Sequence, residues 1–340
     1  MNETRASGTS AAGETGRRAA DCTDVPISLS PGRRAWRSFA RRRTAMASAV
    51  FLSVVLALIL SWPVGRHPAI SSRLPQAITW SPTTLSDTQF APPTRAHWLG
   101  TDIHGRDLLS RLVYGTRISV LVGLMGAGMS LVIGVLWGAT AGYLGGRWDS
   151  GLMRIVDILY ALPSVVFVMV LMAVAETPLE THLTRAFSAA AGEWASLLLL
   201  FVGLGSVSWL TMARIVRGQV LSLRTRGFVD ASRVLGAGHL WILRRHLLPN
   251  LAGVIIVYAA LTVPSVMLYE SFLSYLGLGI QPPQASLGYL IADGAGSINA
   301  IRIYWWLVVF PAGMLAALLL ALNFLGDGLR DAWDPRSVSH

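Results

Sequence analysis

Two acidic residues lie in or beside long apolar runs, where an ionisable side chain is costly and is often functional. Asp157 follows Arg154 by three residues, a spacing that favours an ion pair on one helix face at the end of a membrane span. Glu270 lies near the outer end of a later run, next to Tyr269. A carboxylate there could bind a substrate amine, although a structural role at the membrane interface is the stronger interpretation.

Residue types that support covalent or nucleotide chemistry are scarce. All 28 basic residues are Arg, so the chain cannot form a phosphate-binding loop of the G-x-x-x-x-G-K-[ST] type, which needs Lys. Cys22 is the only Cys, which excludes an intrachain disulfide and a Cys-cluster metal site. The seven His are scattered, and Asp327, Asp331 and Asp334 lack the rest of a calcium-loop pattern. We expect no catalytic residues, no metal site and no cofactor bound by this chain.

The composition is that of a membrane protein. Of the 340 residues 53% are hydrophobic and 14% are charged, against about 25% charged in an ordinary soluble domain. A net charge of +10 would usually suggest a nucleic-acid partner. Here many arginines lie beside apolar runs, which indicates membrane orientation and contact with lipid instead.

Six apolar runs are long enough to span a bilayer at roughly 20 residues each. The first follows a tail too long for a signal peptide and ends in a poor cleavage site, so we expect it to remain as a span. The runs are Met46–Trp62, Ile118–Tyr143, Ile155–Ala175, Ala195–Ile215, Leu251–Phe272 and Ile303–Leu325.

Arginine is concentrated in alternate connecting segments, which favours cytosolic N- and C-termini. The predicted organisation has six parts. They are a disordered Arg-rich cytosolic tail (1–43), a first transmembrane helix (44–64), an external loop (65–117), a core (118–325) that contains a cytosolic loop (216–250), and a cytosolic C-terminal tail (326–340). Within the external loop, Leu108, Leu109, Leu112 and Val113 share one helical face. We expect a helix lying on the membrane surface there, either as a connector or as a contact for a binding protein.

The 216–250 loop is a polar, arginine-bearing segment between two apolar runs. Phe228 to Leu235 alternates apolar and polar residues like a short amphipathic helix, and Gly236 and Gly238 are expected to end it. Such a helix, presented to the cytosol, is a surface for a soluble partner.

Gly134, Gly138 and Gly142 recur at four-residue spacing in the second run. Small residues on one face let helices approach closely in lipid. The contact is either with another span of the same chain or with a second membrane subunit.

Four stretches resemble the permease subunits of ATP-binding-cassette importers, specifically the second permease of the dipeptide, oligopeptide and nickel group. Asp230-Ala231-Ser232 with Gly236, followed by Leu248-Pro249, is similar to the family's EAA signature, with Asp in place of Glu and Ser in place of the second Ala. The other stretches are His97–Val120, Glu270–Gly288 and Asn323–Arg336.

The resemblance implies an all-α, polytopic type I importer domain in a bacterial or archaeal cytoplasmic membrane. Its partners would be a sister permease, two cytosolic ATPases that bind ATP and Mg²⁺, and an external substrate-binding protein. The substrate would be a di- or oligopeptide, a nickel complex or another small solute. The ATPase-coupling residues would be Phe228, Val229, Asp230, Ala231, Ser232, Arg233 and Gly236, with further apolar contact from Val234 and Leu235.

Two other classes of function would leave different residue patterns. A secondary transporter or channel would need ionisable groups or broken helices near the bilayer midplane, and a membrane-embedded enzyme would need clustered His, Asp or Ser. The sequence shows neither pattern. A scaffold role, with the 216–250 loop as a docking site without transport, stays open.

Overall fold

The computed structural model describes residue 36 and residues 39–65, 81–188, 194–280, 282, 284–298 and 302–333. This part of the chain is largely helical and contains six helices long and apolar enough to cross a membrane. Its helices include α1 (Arg43–Gly65), α2 (Leu108–Leu144), α3 (Gly146–Ala161), α4 (Ser164–Ala186), α5 (Ala195–Leu223), α6 (Gly227–Val234), α7 (His239–Ile242), α8 (Leu248–Tyr275), α9 (Leu287–Gly296) and α10 (Trp306–Trp333).

The spans extend further than the apolar runs predict. Helix α5 continues to Leu223, and α7 leads through a π-helical turn, Leu243–Leu247, directly into α8. The segment between these spans is therefore 224–238 rather than 216–250. Helix α10 likewise runs to Trp333, so the described part of the predicted C-terminal tail is helical. Charged residues can extend a spanning helix past the membrane because the backbone hydrogen bonds do not depend on apolar side chains.

The expected surface helix before the second span is wrong. Residues Leu108–Leu144 form one continuous helix, begun by Asp107, whose carboxylate accepts a hydrogen bond from the Ser110 backbone N–H at 2.9 Å. Leu108 and Arg111, placed on opposite faces by the sequence pattern, are both buried. Arg111 is buried because Asp102 and Asp293 supply carboxylates from other parts of the chain, which helical periodicity cannot reveal.

The third span is the single helix Ser164–Ala186, and a break precedes it, so the prediction of one helix over Ile155–Ala175 is wrong. Helix α3 ends at Ala161, the chain is extended through Leu162 and Pro163, and α4 begins at Ser164. The residue before a proline avoids the helical conformation, which explains the break. The Trp137 indole N–H donates to the Leu152 carbonyl at 3.1 Å, so α3 lies along the second half of α2.

The predicted ion pair within α3 is also wrong. Asp157 pairs with Arg214 of α5, at 2.8 Å between Oδ1 and Nη2, instead of with Arg154. The Arg214 guanidinium lies 4.1 Å from the centroid of the Tyr160 ring. The pair therefore joins α3 to the middle of α5.

The three regularly spaced glycines of α2 pack against α5 of the same chain. A Cβ at Gly138 would lie 2.3 Å from the Ala213 carbonyl oxygen, and one at Gly134 would lie 2.6 Å from the Met212 Cβ. Gly142 faces the Arg217 carbonyl in the same way. These glycines are buried within the monomer, so the alternative prediction that they contact a second membrane subunit is wrong.

Six spans alternate in direction, so both ends of the described chain and the α5–α8 connection share one face. At this face Arg42, just before α1, pairs with Asp331 of α10 at 2.5 Å. At the opposite face the segment before α2 packs on the start of α10: the Phe90 and Tyr304 rings stack with centroids 4.1 Å apart. The two ends of the spans are thus held by different sets of contacts, and the spans connect them.

Candidate coupling surface and its supports

A single left-handed residue ends α6. Gly236 has φ 81°, a conformation that costs little for glycine and strains other residues. Its N–H donates to the Arg233 carbonyl at 2.9 Å, and the Ala237 N–H donates to the Ser232 carbonyl at 3.0 Å. This pair of bonds is the Schellman C-cap. Gly238 has φ −67° and precedes α7, so it begins the next helix instead of ending α6.

One face of α6 is anchored to the protein. Val229 is 0% exposed and belongs to a buried cluster with Val220, Ile242 and Leu247. Ser232 is also buried, and its hydroxyl donates to the Phe228 carbonyl at 2.8 Å. The prediction that Val229 contacts a partner is therefore wrong: it holds α6 against the ends of α5 and α8.

The other face of α6 is open and apolar at its C-terminal end. Val234 is 88% exposed and Leu235 is 86% exposed. We define the α6 patch as these two residues together with Phe228, Leu240 and Trp241, whose side chains are also exposed. Val234 and Leu235 lie outside the membrane spans, and an exposed apolar pair there is typical of a protein contact.

The polar residues of α6 frame this patch. Asp230 and Arg233 are exposed and form an ion pair at 3.1 Å, and Ala231 is exposed beside them. Sequence reasoning placed these residues correctly on the open face but missed Leu240 and Trp241. The apolar run that begins at Leu240, two residues after Gly238, was the signal that could have found them.

Polar contacts tie the α6 region to three helices. The Tyr143 hydroxyl at the end of α2 lies 2.9 Å from His239 Nδ1, and Arg224 donates to the Gly142 carbonyl at 2.9 Å. Arg217 of α5 binds both carboxylate oxygens of Asp149 in α3, at 2.5 and 2.7 Å. This hydrogen-bonded guanidinium holds the pKa of Asp149 below its usual value. The α6 region is therefore connected to the ends of α2 and α5, and α5 is connected in turn to α3.

Glu270 lies inside the protein rather than at an interface. It is 0% exposed, and its carboxylate accepts hydrogen bonds from Ser119 of α2 at 3.0 Å and from Ser274 at 2.8 Å. The Ser119 hydroxyl in turn accepts the Leu287 N–H at 3.1 Å, at the start of α9. Of the two interpretations, the structural one agrees with this geometry, although the carboxylate lies inside the protein rather than at the membrane interface and is not placed to contact a substrate. Glu270 joins α2, α8 and α9 at the outer end of the spans.

A second buried network of ion pairs and hydrogen bonds lies at the opposite end of the spans from α6. Arg106 Nε donates to Asp102 Oδ2 at 2.7 Å, and Arg111 of α2 contacts both Asp102 and, at 3.0 Å, Asp293 of α9. His97 lies 3.0 Å from Asp107. The sequence stretch 97–111 thus forms a rigid connection between the first outer segment and α9.

Known proteins resemble this chain over most of its length. Residues 134–339 match the family described as binding-protein-dependent transport system inner membrane component. The chain is 39% identical over 315 residues to the oligopeptide transport system permease protein OppC of Haemophilus influenzae, with 90% of each chain covered. It is 41% identical over 319 residues to the dipeptide transport system permease protein DppC of Bacillus subtilis, covering 94% of this chain and 90% of that protein.

A solved structure shares the fold. An inward-facing structure of the MetNI methionine ABC transporter contains a chain that aligns with a TM-score of 0.50 at 21% identity. The alignment covers 67% of this chain and 98% of that one. The fold is therefore that of the membrane domain of a type I importer, as the sequence resemblance implied. From the family match and the relatives, this multi-pass membrane protein belongs to the family of binding-protein-dependent transport system inner membrane components.

Proposed function

We propose that this chain is one of two permease subunits of an ATP-driven importer that takes up peptides. The relatives that it matches nearly end to end are named as oligopeptide and dipeptide permeases, which supports peptides over nickel complexes or other solutes. ATP and Mg²⁺ bind to partner ATPases, since a chain without Lys cannot form the phosphate-binding loop. The chain itself performs no catalysis.

The single observation that carries the coupling role is the geometry of α6. Its inner face is fixed by Val229, while Val234 and Leu235 are almost fully exposed beyond it. In our proposal the α6 patch seats in a cleft of an ATPase subunit, and Asp230 and Arg233 orient it. Closure of the two ATPases moves α6, and the contacts to α2, α3 and α5 convert that motion into a rigid-body change of the spans.

The orientation follows from this role. The termini and α6 lie on the cytosolic side, supported by the concentration of arginine in those segments. The 97–111 network and the loop before α9 then face outward, where the substrate-binding protein delivers its peptide. The translocation path of the peptide runs along the interface between this chain and the sister permease.

The break between α3 and α4, just before the third span, resembles the broken helices that a secondary transporter uses. Ion-driven transport, however, requires titratable groups placed at the break, and the nearby Asp157 and Arg214 neutralise each other. An importer powered by partner ATPases remains the better account.

The test is the composition and activity of the purified complex. We expect the affinity-tagged chain to copurify in fixed ratio with a sister permease and with ATPase chains whose sequences contain G-x-x-x-x-G-K-[ST]. In proteoliposomes with the binding protein, it should drive ATP-dependent uptake of a radiolabelled tripeptide. A purified complex without any such ATPase, or uptake that needs an ion gradient instead of ATP, would contradict the proposal.

A further inference from the structure

A cavity of about 110 Å³ lies at the break between α3 and α4, where the third span begins. It is enclosed by the end of α3, the start of α4, the middle of α5 and the outer half of α8. Its polar lining consists of hydroxyl groups from Tyr160, Ser164, Ser208, Thr211 and Tyr269. The rest of the wall is apolar and includes Val168, Leu204, Leu210 and Leu273.

Most of these hydroxyls are unused by the protein. Within the part of the chain that the structure describes, the hydroxyls of Tyr160, Ser164, Thr211 and Tyr269 make no hydrogen bond to another residue. Ser208 donates to the Leu204 carbonyl at 2.7 Å and keeps its acceptor sites. A hydroxyl facing hydrocarbon without a partner is costly. This face of the spans is therefore not a lipid-facing surface but one that meets water or a polar ligand.

The cavity is uncharged. None of its described lining residues is acidic, basic or His. Asp157 and Arg214, beside the cavity, are paired with each other, and the Arg214 guanidinium lies over the Tyr160 ring. The cavity thus lacks the carboxylate and imidazole ligands that hold a metal cation. It offers neutral donors and acceptors beside an apolar wall.

We propose that this cavity binds one residue of a peptide in transit, through the peptide main chain. Hydroxyl groups both donate and accept, so they can satisfy the carbonyl and N–H groups that every peptide carries. The apolar wall accommodates a small or apolar side chain without selecting its identity. This inference rests on the proposed function, and it places the substrate contact at the α3–α4 break and at Tyr269, which is adjacent in sequence to the buried Glu270.

The main test removes two hydroxyls with little change in volume. Tyr269→Phe combined with Thr211→Val should lower ATP-driven uptake of tri-alanine by roughly tenfold in proteoliposomes, about three- to fivefold for each lost hydrogen bond. ATP hydrolysis stimulated by the binding protein should persist, because the α6 region is untouched. The matched control is Tyr258→Phe combined with Thr262→Val, an exposed and a half-buried residue of α8 outside the cavity, which should transport like the wild type.

The outcomes separate this inference from the proposed function. If the wild-type complex does not transport tri-alanine, the proposed function fails. If the wild type transports it and the cavity variant is indistinguishable from the control variant, the cavity inference is overturned while the proposed function stands.

A second measurement tests the inference even if the variant with Tyr269→Phe and Thr211→Val fails to assemble into the complex. In a Cys22→Ser background, Ser164→Cys should react with a water-soluble thiol reagent, and tri-alanine should slow the reaction severalfold during turnover. Val174→Cys, 69% exposed on the same helix and outside the cavity lining, should not react. An unreactive Cys at 164, or one that peptide does not protect, overturns the inference.

Discussion

Replacing Val234 and Leu235 by Ser is expected to uncouple the permease from its ATPases without unfolding it. Both side chains are nearly nine-tenths exposed, so the substitution removes almost no contact within the chain. Gly236 and its two capping hydrogen bonds, which end α6, are unchanged. The substitutions are therefore expected to destabilise the complex with the ATPase subunit and not the folded chain itself.

The magnitude follows from apolar burial. Fully burying a Val or Leu side chain is worth about 1.5–3 kcal/mol, so the double variant forfeits roughly 3–6 kcal/mol of docking free energy if both residues are covered. Even the lower figure weakens the docking equilibrium by about 100-fold. Val229→Ala should behave oppositely, because its buried side chain stabilises the fold: we expect a stability loss of about 2 kcal/mol.

The assay compares ATPase retention on purification with peptide uptake per ATP hydrolysed. We expect the double variant to lose ATPase subunits in detergent and to lose uptake in proteoliposomes, with unchanged membrane insertion and thermal stability. Leu85→Ser, a similarly exposed apolar residue at the opposite face, is the control and should retain both. A double variant that keeps its ATPases and transports at the wild-type rate would refute the role given to the α6 patch.

Three further predictions concern the supports of this machinery. Gly138→Ala should destabilise the protein by about 1–3 kcal/mol in thermal unfolding, since its Cβ meets a backbone carbonyl, whereas Gly128→Ala, with open space around it, should not; equal effects would contradict the close α2–α5 contact. Glu270→Ala should cost at least about 2 kcal/mol in the same assay by leaving buried hydroxyls without an acceptor, and Glu270→Gln should recover most of it; unchanged melting of the Ala variant would argue against a structural hub. In a Cys22→Ser background, Asp230→Cys should react with a membrane-impermeant reagent only in inside-out vesicles, and reaction in intact cells would reverse the proposed topology.

Much of the architecture could be predicted because it depends on composition along the chain. The apolar runs determine where spans lie, since a backbone in hydrocarbon must satisfy its own hydrogen bonds and only helices do so within one segment. The end of α6 at Gly236 could also be predicted, because the residue that ends a helix often adopts a positive φ, which glycine tolerates. Helical periodicity, however, placed Arg111 on the side of its helix away from the apolar face, and the family resemblance placed Val229 on a partner.

The amino-acid sequence by itself determined six spans, the amphipathic α6 and its glycine end, because these depend on residues close together along the chain. Only the tertiary structure decided that Glu270 is buried among serines, that Asp157 meets Arg214, and that Gly138 faces a span of its own chain. It also decided that the hydroxyls of Tyr160 and Tyr269 share one cavity. The physical reason is common to these cases: burial and pairing depend on which segments meet in space, and sequence periodicity reports a residue's side of its own helix but not what lies opposite.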